Sequence, residues 1–256
     1  MFIDSFPKFE EGRILKREML EELRDYPRSF VEIHYQNYAD GIISGANLNV
    51  SDSKIIVEKG IIKYKGIVYL LKSETEIKYE DSLEETAIIV RFLEDETQDF
   101  KILRGSIELE KCSNLEGEYL ELGRFNLEKG AFLRDSYRDF FDLETGYNTL
   151  NIVNVLYSCS TGDTIHPKIT TYFCQEMTKR GISDSWDINF VMTGLSQNPI
   201  SRQIIEIYIR EKLKIDEEDM DNSRIYNCLC KILQESGRTA RSSENVRKRP
   251  PKIIVD

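Results

Sequence analysis

Few residues of this chain have the type and spacing to do chemistry. There are two histidines, His34 and His166, and five cysteines, Cys112, Cys159, Cys174, Cys228 and Cys230. Glu32 and His34, two apart on the polar face of an expected strand, would make half a metal site. No second histidine or cysteine group supplies the remaining ligands. His166 and Cys174 are eight apart, which in a helix separates them by about 12 Å, too far for a thiol to pass its proton to an imidazole. A capping or packed histidine is the reading for His166. Cys228 and Cys230 form a C-x-C pair in a helix-like stretch, where side chains two apart point to different faces. The acidic run Asp216, Glu217, Glu218 and Asp219 lacks the alternating oxygen ligands and central glycine of a calcium loop. Gly41-Ile-Ile-Ser-Gly45 has the look of an anion loop but sits between alternating segments, and neither a P-loop nor a dinucleotide fingerprint occurs. The expectation is a chain with no catalytic residue, no metal and no cofactor, hence not an enzyme; an enzyme with an unrecognised site is the less favoured alternative.

Composition narrows the remaining classes. With 256 residues, 40% hydrophobic and 31% charged, the chain can bury a full core and is neither disordered nor fibrous in bulk. No apolar run approaches the roughly 20 residues needed to span a bilayer. The first residues carry Asp4 and no positive flank ahead of an apolar core, so they do not read as a secretory signal, and synthesis and folding in the cytoplasm are expected. The odd cysteine set without C-x-x-C spacing reads as small hydrophobes in a reducing compartment. The formal net charge is −10, yet from Gly237 onward six basic residues face two acidic ones, a local +4 on a body of −14. Such a body repels nucleic acid, and neither a nucleic-acid partner nor membrane insertion is expected.

The elements that would carry any site change character along the chain. Leu15, Met19, Leu20 and Leu23 with charges between them predict an amphipathic helix of about three turns, closed by Tyr26-Pro27. From Phe30 to about Leu127 the period is two. Val31, Ile33 and Tyr35 alternate with polar residues, as do Leu48 with Val50 and Ile107 with Leu109. Frequent turn signals imply a meander or small sandwich, and the continuous apolar run from Ala87 to Leu93 predicts its central strand. After Asn148 the pattern is helical. Asp163 and Pro167 open one helix that ends at Gly181, Ser183 to Thr193 is a second, Pro199 opens a third and Asp221 a fourth. The third has Ile200, Ile204, Ile207, Tyr208 and Leu213 on one face, although strand propensity also favours residues 204–209. The fold class is therefore α+β: a short helix, an antiparallel β-sandwich or meander, a helical module and an extended tail. The boundaries fall at residues 1–27, 28–148, 149–236 and 237–256.

Two ends lack an evident core of their own. Phe2, Phe6 and Phe9 surround Pro7 too irregularly for a regular element, and three exposed aromatics are costly unless they fold back or dock on a partner. The tail carries Arg241, Arg247, Lys248 and Arg249, a double proline, and a β-prone ending, Ile253, Ile254 and Val255, suited to strand addition on an acidic neighbour. Both ends are candidate partner-binding segments.

One stretch resembles a known pattern. Gly41-Ile-Ile-Ser-Gly45 leads into a strand, then residues 55–60 and 61–69 follow as strand, glycine, strand, glycine, strand, with Gly41, Gly45, Gly60 and Gly66 at the reversals. This is similar to the attachment regions of phage tail fibres and baseplate proteins, and residues 121–127 resemble the closing strand of such modules. Residues 6–27 resemble proteins of contractile-tail clusters of clostridial type, phage-like tails or R-type bacteriocins. The resemblance spans about residues 1–130 and implies a structural adaptor of a contractile tail or injection particle, in the baseplate or at fibre attachment, working by protein–protein contact. It implies other tail or baseplate proteins as partners, a receptor-binding fibre among them, in several copies of a symmetric assembly. The protein would be made in the cytoplasm and then join the particle. An assembly chaperone absent from the finished particle is the alternative.

Overall fold

The computed structural model describes residues 1–81, 84–197 and 199–247, the last eleven by their backbone alone. Helix α1 (Arg17–His34) comes first, followed by strands β1 (Gly41–Gly45), β2 (Leu48–Ser51), β3 (Lys54–Val57), β4 (Gly60–Tyr64), β5 (Ile67–Leu71), β6 (Thr75–Lys78), β7 (Thr86–Glu96), β8 (Lys101–Lys111) and β9 (Tyr119–Phe125). A 3-10 turn (Phe140–Glu144) precedes β10 (Leu156–Cys159) and β11 (Gly162–Ile165), and α2 (Pro167–Arg180), α3 (Ser185–Ser196), α4 (Arg202–Leu213) and α5 (Asn222–Arg247) follow. This is an α+β chain, with a helix, then sheets, then helices. None of the helices among the described residues is long and apolar enough to cross a membrane.

Three sheets form, ordered β11-β10-β1-β4-β5, β2-β3-β6 and β8-β7-β9. The run from Ala87 to Leu93 lies in β7, the middle strand of the third sheet; Ala87, Ile88 and Ile89 are fully buried, as a strand covered on both faces must be. β4 and β5 are joined by the two residues Lys65 and Gly66, both at positive φ, the geometry that lets two twisted strands reverse at once. Gly45 faces Gly60 across the β1–β4 pair. A Cβ on Gly45 would stand 2.1 Å from the Lys59 carbonyl oxygen and one on Gly60 2.4 Å from the Ala46 nitrogen, so this glycine pair allows a close backbone approach. Gly41 is at the start of β1, where a Cβ would meet the Leu156 carbonyl oxygen of β10 at 2.8 Å.

Several expectations are corrected. Val31, Ile33 and Tyr35 do not alternate in a strand; Val31 and Ile33 belong to α1, which runs past Tyr26-Pro27 to His34, and Tyr35 is its C-cap. Three alternating residues are too short a run to separate a period of two from one of 3.6. Pro27 costs one helical bond, but α1 has no buried residue, so the carbonyl left without that bond is open to water. Asp163 does not cap α2. The cap is His166, whose Nδ1 accepts the Lys168 N–H at 3.0 Å, while Asp163 pairs with Arg202 at 2.9 Å. The tail expected to be extended from Gly237 is helical as far as Arg247, because nothing after Gly237 opposes a helix until Pro250 and Pro251. Residues 248–256 lie outside the described residues.

The largest correction concerns the boundary at residue 148. β10 pairs in parallel with β1, Ile42 opposite Tyr157, and β11 pairs with β10, so the first sheet is finished by strands from beyond that point. The sheets are otherwise antiparallel. Asn222 of α5 donates to the Val155 carbonyl at 3.0 Å, and Thr164 of β11 donates to the Ile200 carbonyl at 2.5 Å. A single apolar cluster runs from Ile42 through Ile88, Phe140 and Phe173 to Leu233. Residues 149–165, placed by that boundary with the helical module, contribute Leu150, Ile152, Val153, Val155, Tyr157 and Ile165 to that core.

Candidate docking surfaces

The residues that could have carried chemistry are placed for packing. His166 is buried beside the Tyr157 ring, 4.7 Å between centroids. Cys174 lies in the core, where a Cβ on Gly194 would come within 2.6 Å of its sulfur. Burial pushes the Cys174 thiol up to about 12, away from the thiolate a nucleophile needs. Cys228 is buried and Cys230 half-buried on α5. His34 stacks on Phe30 at the end of α1, 5.8 Å between centroids. Among the described residues no three of His, Cys, Asp and Glu gather as a metal site would require.

Burial, with a smaller contribution from Lys168, pushes the His166 imidazole down to about 3 from 6.5. An unfolded chain therefore binds a proton at His166 that the folded chain refuses. Stability from this group is whole above about pH 6.5 and falls as pH drops toward 3, by about 1.4 kcal/mol per unit. His166→Asn keeps a side-chain acceptor for the Lys168 N–H but cannot titrate. Urea melts at pH 7 and pH 5 should show the wild type losing about 2 kcal/mol more than the variant; equal losses would mean the imidazole is accessible in the folded chain.

What the structure does offer is exposed apolar surface, in three places. Phe2, Phe6 and Phe9 are all exposed on the arm that leads into α1, and Leu20, Leu23, Tyr26, Phe30 and Ile33 are exposed on the helix itself. The Ser5 hydroxyl donates to Glu22, so the arm turns back along the helix. The β7–β8 hairpin outruns β9: its pairing extends to Glu96 and Lys101, whereas β9 stops opposite Arg91. Phe100 stands exposed at its tip and Leu93 on its side. On the helical side, Trp186 of α3 and Ile204 and Ile207 of α4 are exposed around a shallow cavity of about 140 Å³, and Met192 and Leu195 of α3 are exposed away from it. Sequence reasoning missed the last two surfaces, because an apolar residue on a β-hairpin or a helical bundle reads as core until its neighbours are known.

Two cation groups hold or flank these surfaces. Lys63 of β4 is buried, and its ammonium donates to the carbonyls of Tyr35 at 2.7 Å, Gln36 at 3.2 Å and Tyr38 at 2.6 Å, the segment that ends α1. The Lys65 N–H donates to Asp40 at 2.9 Å and the Ser158 hydroxyl to the Ala39 carbonyl at 2.7 Å, so residues 35–40 are fastened to the first sheet. Between edge strands β5 and β8 lies an open, largely apolar groove of about 450 Å³ with Arg28, Lys101 and Arg104 at its rim. Lys101 and Arg104 already face Glu94 at 2.5 Å and Asp95 at 3.4 Å, so the groove is not an anion site. Of the tail residues, Arg241 and Arg247 are on the backbone of α5, and Lys248, Arg249, Ile253, Ile254 and Val255 lie outside the described residues.

No family model and no curated protein matches the chain. Two solved structures are similar over most of it. A crystal structure of TssK is 12% identical with a TM-score of 0.42, covering 92% of this chain and 69% of that one. A chain of the type VI secretion system TssK-TssF-TssG baseplate subcomplex, determined by cryo-electron microscopy, is 8% identical with a TM-score of 0.37, covering 90% and 99%.

Proposed function

We propose that this chain is a non-enzymatic structural adaptor of a phage-like contractile tail or contractile injection particle, placed in the baseplate or at fibre attachment and held there by protein–protein contacts. The observation that carries the reading is the N-terminal element: three exposed phenylalanines and an amphipathic helix without a buried residue, on a body whose core is complete without them. Exposed apolar surface of that extent is costly in water and marks a surface that another protein covers. The glycine-strand resemblance of residues 41–69 supports the assignment to a tail or baseplate. The basic residues from Arg238 to Lys252, against a body of net charge −14, add an electrostatic hold on an acidic neighbour. Partners are other tail or baseplate proteins, with a receptor-binding fibre among them, and the protein is made in the cytoplasm before it joins the particle.

Quantitative mass spectrometry of purified particles tests this. A structural subunit should be present at a fixed ratio to the sheath and tube proteins through successive purification steps. Loss of the chain from finished particles, with retention in assembly intermediates, would overturn the adaptor reading in favour of a chaperone.

A further inference from the structure

We propose that α1 is a self-association element through which copies of this chain pack side by side, in parallel, along Met19, Leu23, Tyr26, Phe30 and Ile33. The spacing of these five residues is four, three, four, three. That is the repeat that keeps a seam of one helix facing a second helix over successive turns, with each residue set into the partner's surface. Met19 is half-buried, and the other four are between 50% and 66% exposed. A seam of this kind is answered by another helix, and among the described residues the element that α1 meets most is the edge strand β5 rather than a helix. Arg28, which lines the groove beside β5, stands on the opposite face of α1 from the seam, so the seam points away from the body.

Charge placement favours a copy of the same chain as the occupant. Every charged residue of α1 other than Glu22 and the terminal His34 falls on positions away from the seam. Residues beside a helical seam ordinarily select partners by charge, and identical helices are excluded when like charges meet there. In a parallel pair Glu22 would face Pro27 of the other copy, so no like charges oppose, and the Glu22 carboxylate already accepts the Ser5 hydroxyl. Parallel packing also sets each seam residue against its own counterpart, Phe30 on Phe30 and Ile33 on Ile33.

Because each copy carries a net charge of −10, association is opposed by long-range repulsion and should strengthen with salt, the reverse of docking through the basic tail. The inference does not depend on the adaptor reading: a chain that self-associates yet is absent from particles would sink that reading and leave this one standing.

The test is sedimentation velocity of the full-length protein between about 1 and 100 µM, at ~50 and ~500 mM salt. The expected result is a species of at least twice the 29.9 kDa chain mass, more populated at high salt. The double variant Leu23→Glu with Phe30→Glu should be monomeric throughout with unchanged helical signal and melting, since neither side chain is part of the core. Met19→Cys should form a disulfide between copies under mild oxidation that the wild type does not form. A wild type that stays monomeric over the whole range would overturn the proposal, as would an oligomer whose mass the double variant leaves unchanged. An oligomer in which Met19→Cys fails to cross-link would overturn the parallel arrangement.

Discussion

Phe140→Ala should lower the stability of the whole chain by about 3–5 kcal/mol, and in one transition. Phe140 begins the 3-10 turn that Asp139 caps by accepting the Phe141 and Asp142 N–H groups. Its fully buried ring stacks on Tyr226 of α5 at 5.1 Å and meets Phe173 of α2 edge-on at 5.7 Å. From there the aromatic contacts continue to Phe190 of α3 and Tyr208 of α4, and the Tyr208 hydroxyl donates to Asp187 at 2.8 Å. The Tyr226 hydroxyl donates to the Phe140 carbonyl at 2.9 Å. The turn is held in turn by Arg134, which pairs with Asp142 at 2.6 Å and donates to Thr149 at 2.8 Å, keeping the Asp142 carboxyl well below the usual range. One ring therefore ties the segment after β9 to the helices, and truncating it leaves a cavity where the two meet. Melting followed at 222 nm and in the near ultraviolet should fall together by about 10 °C. Two separate transitions, or a loss below about 1 kcal/mol, would show that strands and helices do not share one cooperative core.

Lys63→Met should cost about 2–4 kcal/mol and loosen α1 in particular. The methionine fills much of the same space but donates no hydrogen bond. The Gln36 and Tyr38 carbonyls then lose the ammonium, whereas the Tyr35 carbonyl keeps the Tyr38 N–H at 3.1 Å. Bonds to a charged donor are among the stronger ones a buried carbonyl can accept, and a carbonyl left without one bears its full desolvation cost. Hydrogen exchange should speed in α1 and residues 35–40 more than in β7. Equal protection of α1 in variant and wild type would mean that the helix is held by something other than Lys63.

The elements that follow local rules were legible in the sequence. Leu48 with Val50 and Ile107 with Leu109 lie in β2 and β8, the run from Ala87 lies in a central strand, and Pro167 opens α2. Each rests on side chains within a few residues of one another, where period and capping chemistry act. The stretch around Ile204 and Ile207 is instructive. β-branched residues favour a strand, but Ile205, Tyr208 and Ile209 at helical spacing bury one face against the other helices, so packing outweighs propensity and Ile204 and Ile207, expected on the apolar face, are left exposed. His166 was readable as a capping or packed residue, because eight residues of one helix separate it from Cys174.

Sequence alone therefore determined the α+β character, the helical repeat in the second half and the uneven charge, all properties of neighbouring residues. Only the tertiary structure decided that β10 joins β1 in parallel across more than a hundred residues, since such a pair leaves no local mark in either strand. The same holds for Lys63. On a strand it reads as a solvated cation, and it is buried because three carbonyls from beyond α1 happen to converge on its ammonium. The length of α1 was decided there too: the helix lies against the edge strand β5 with no residue buried, runs through Pro27 and leaves its apolar stripe exposed.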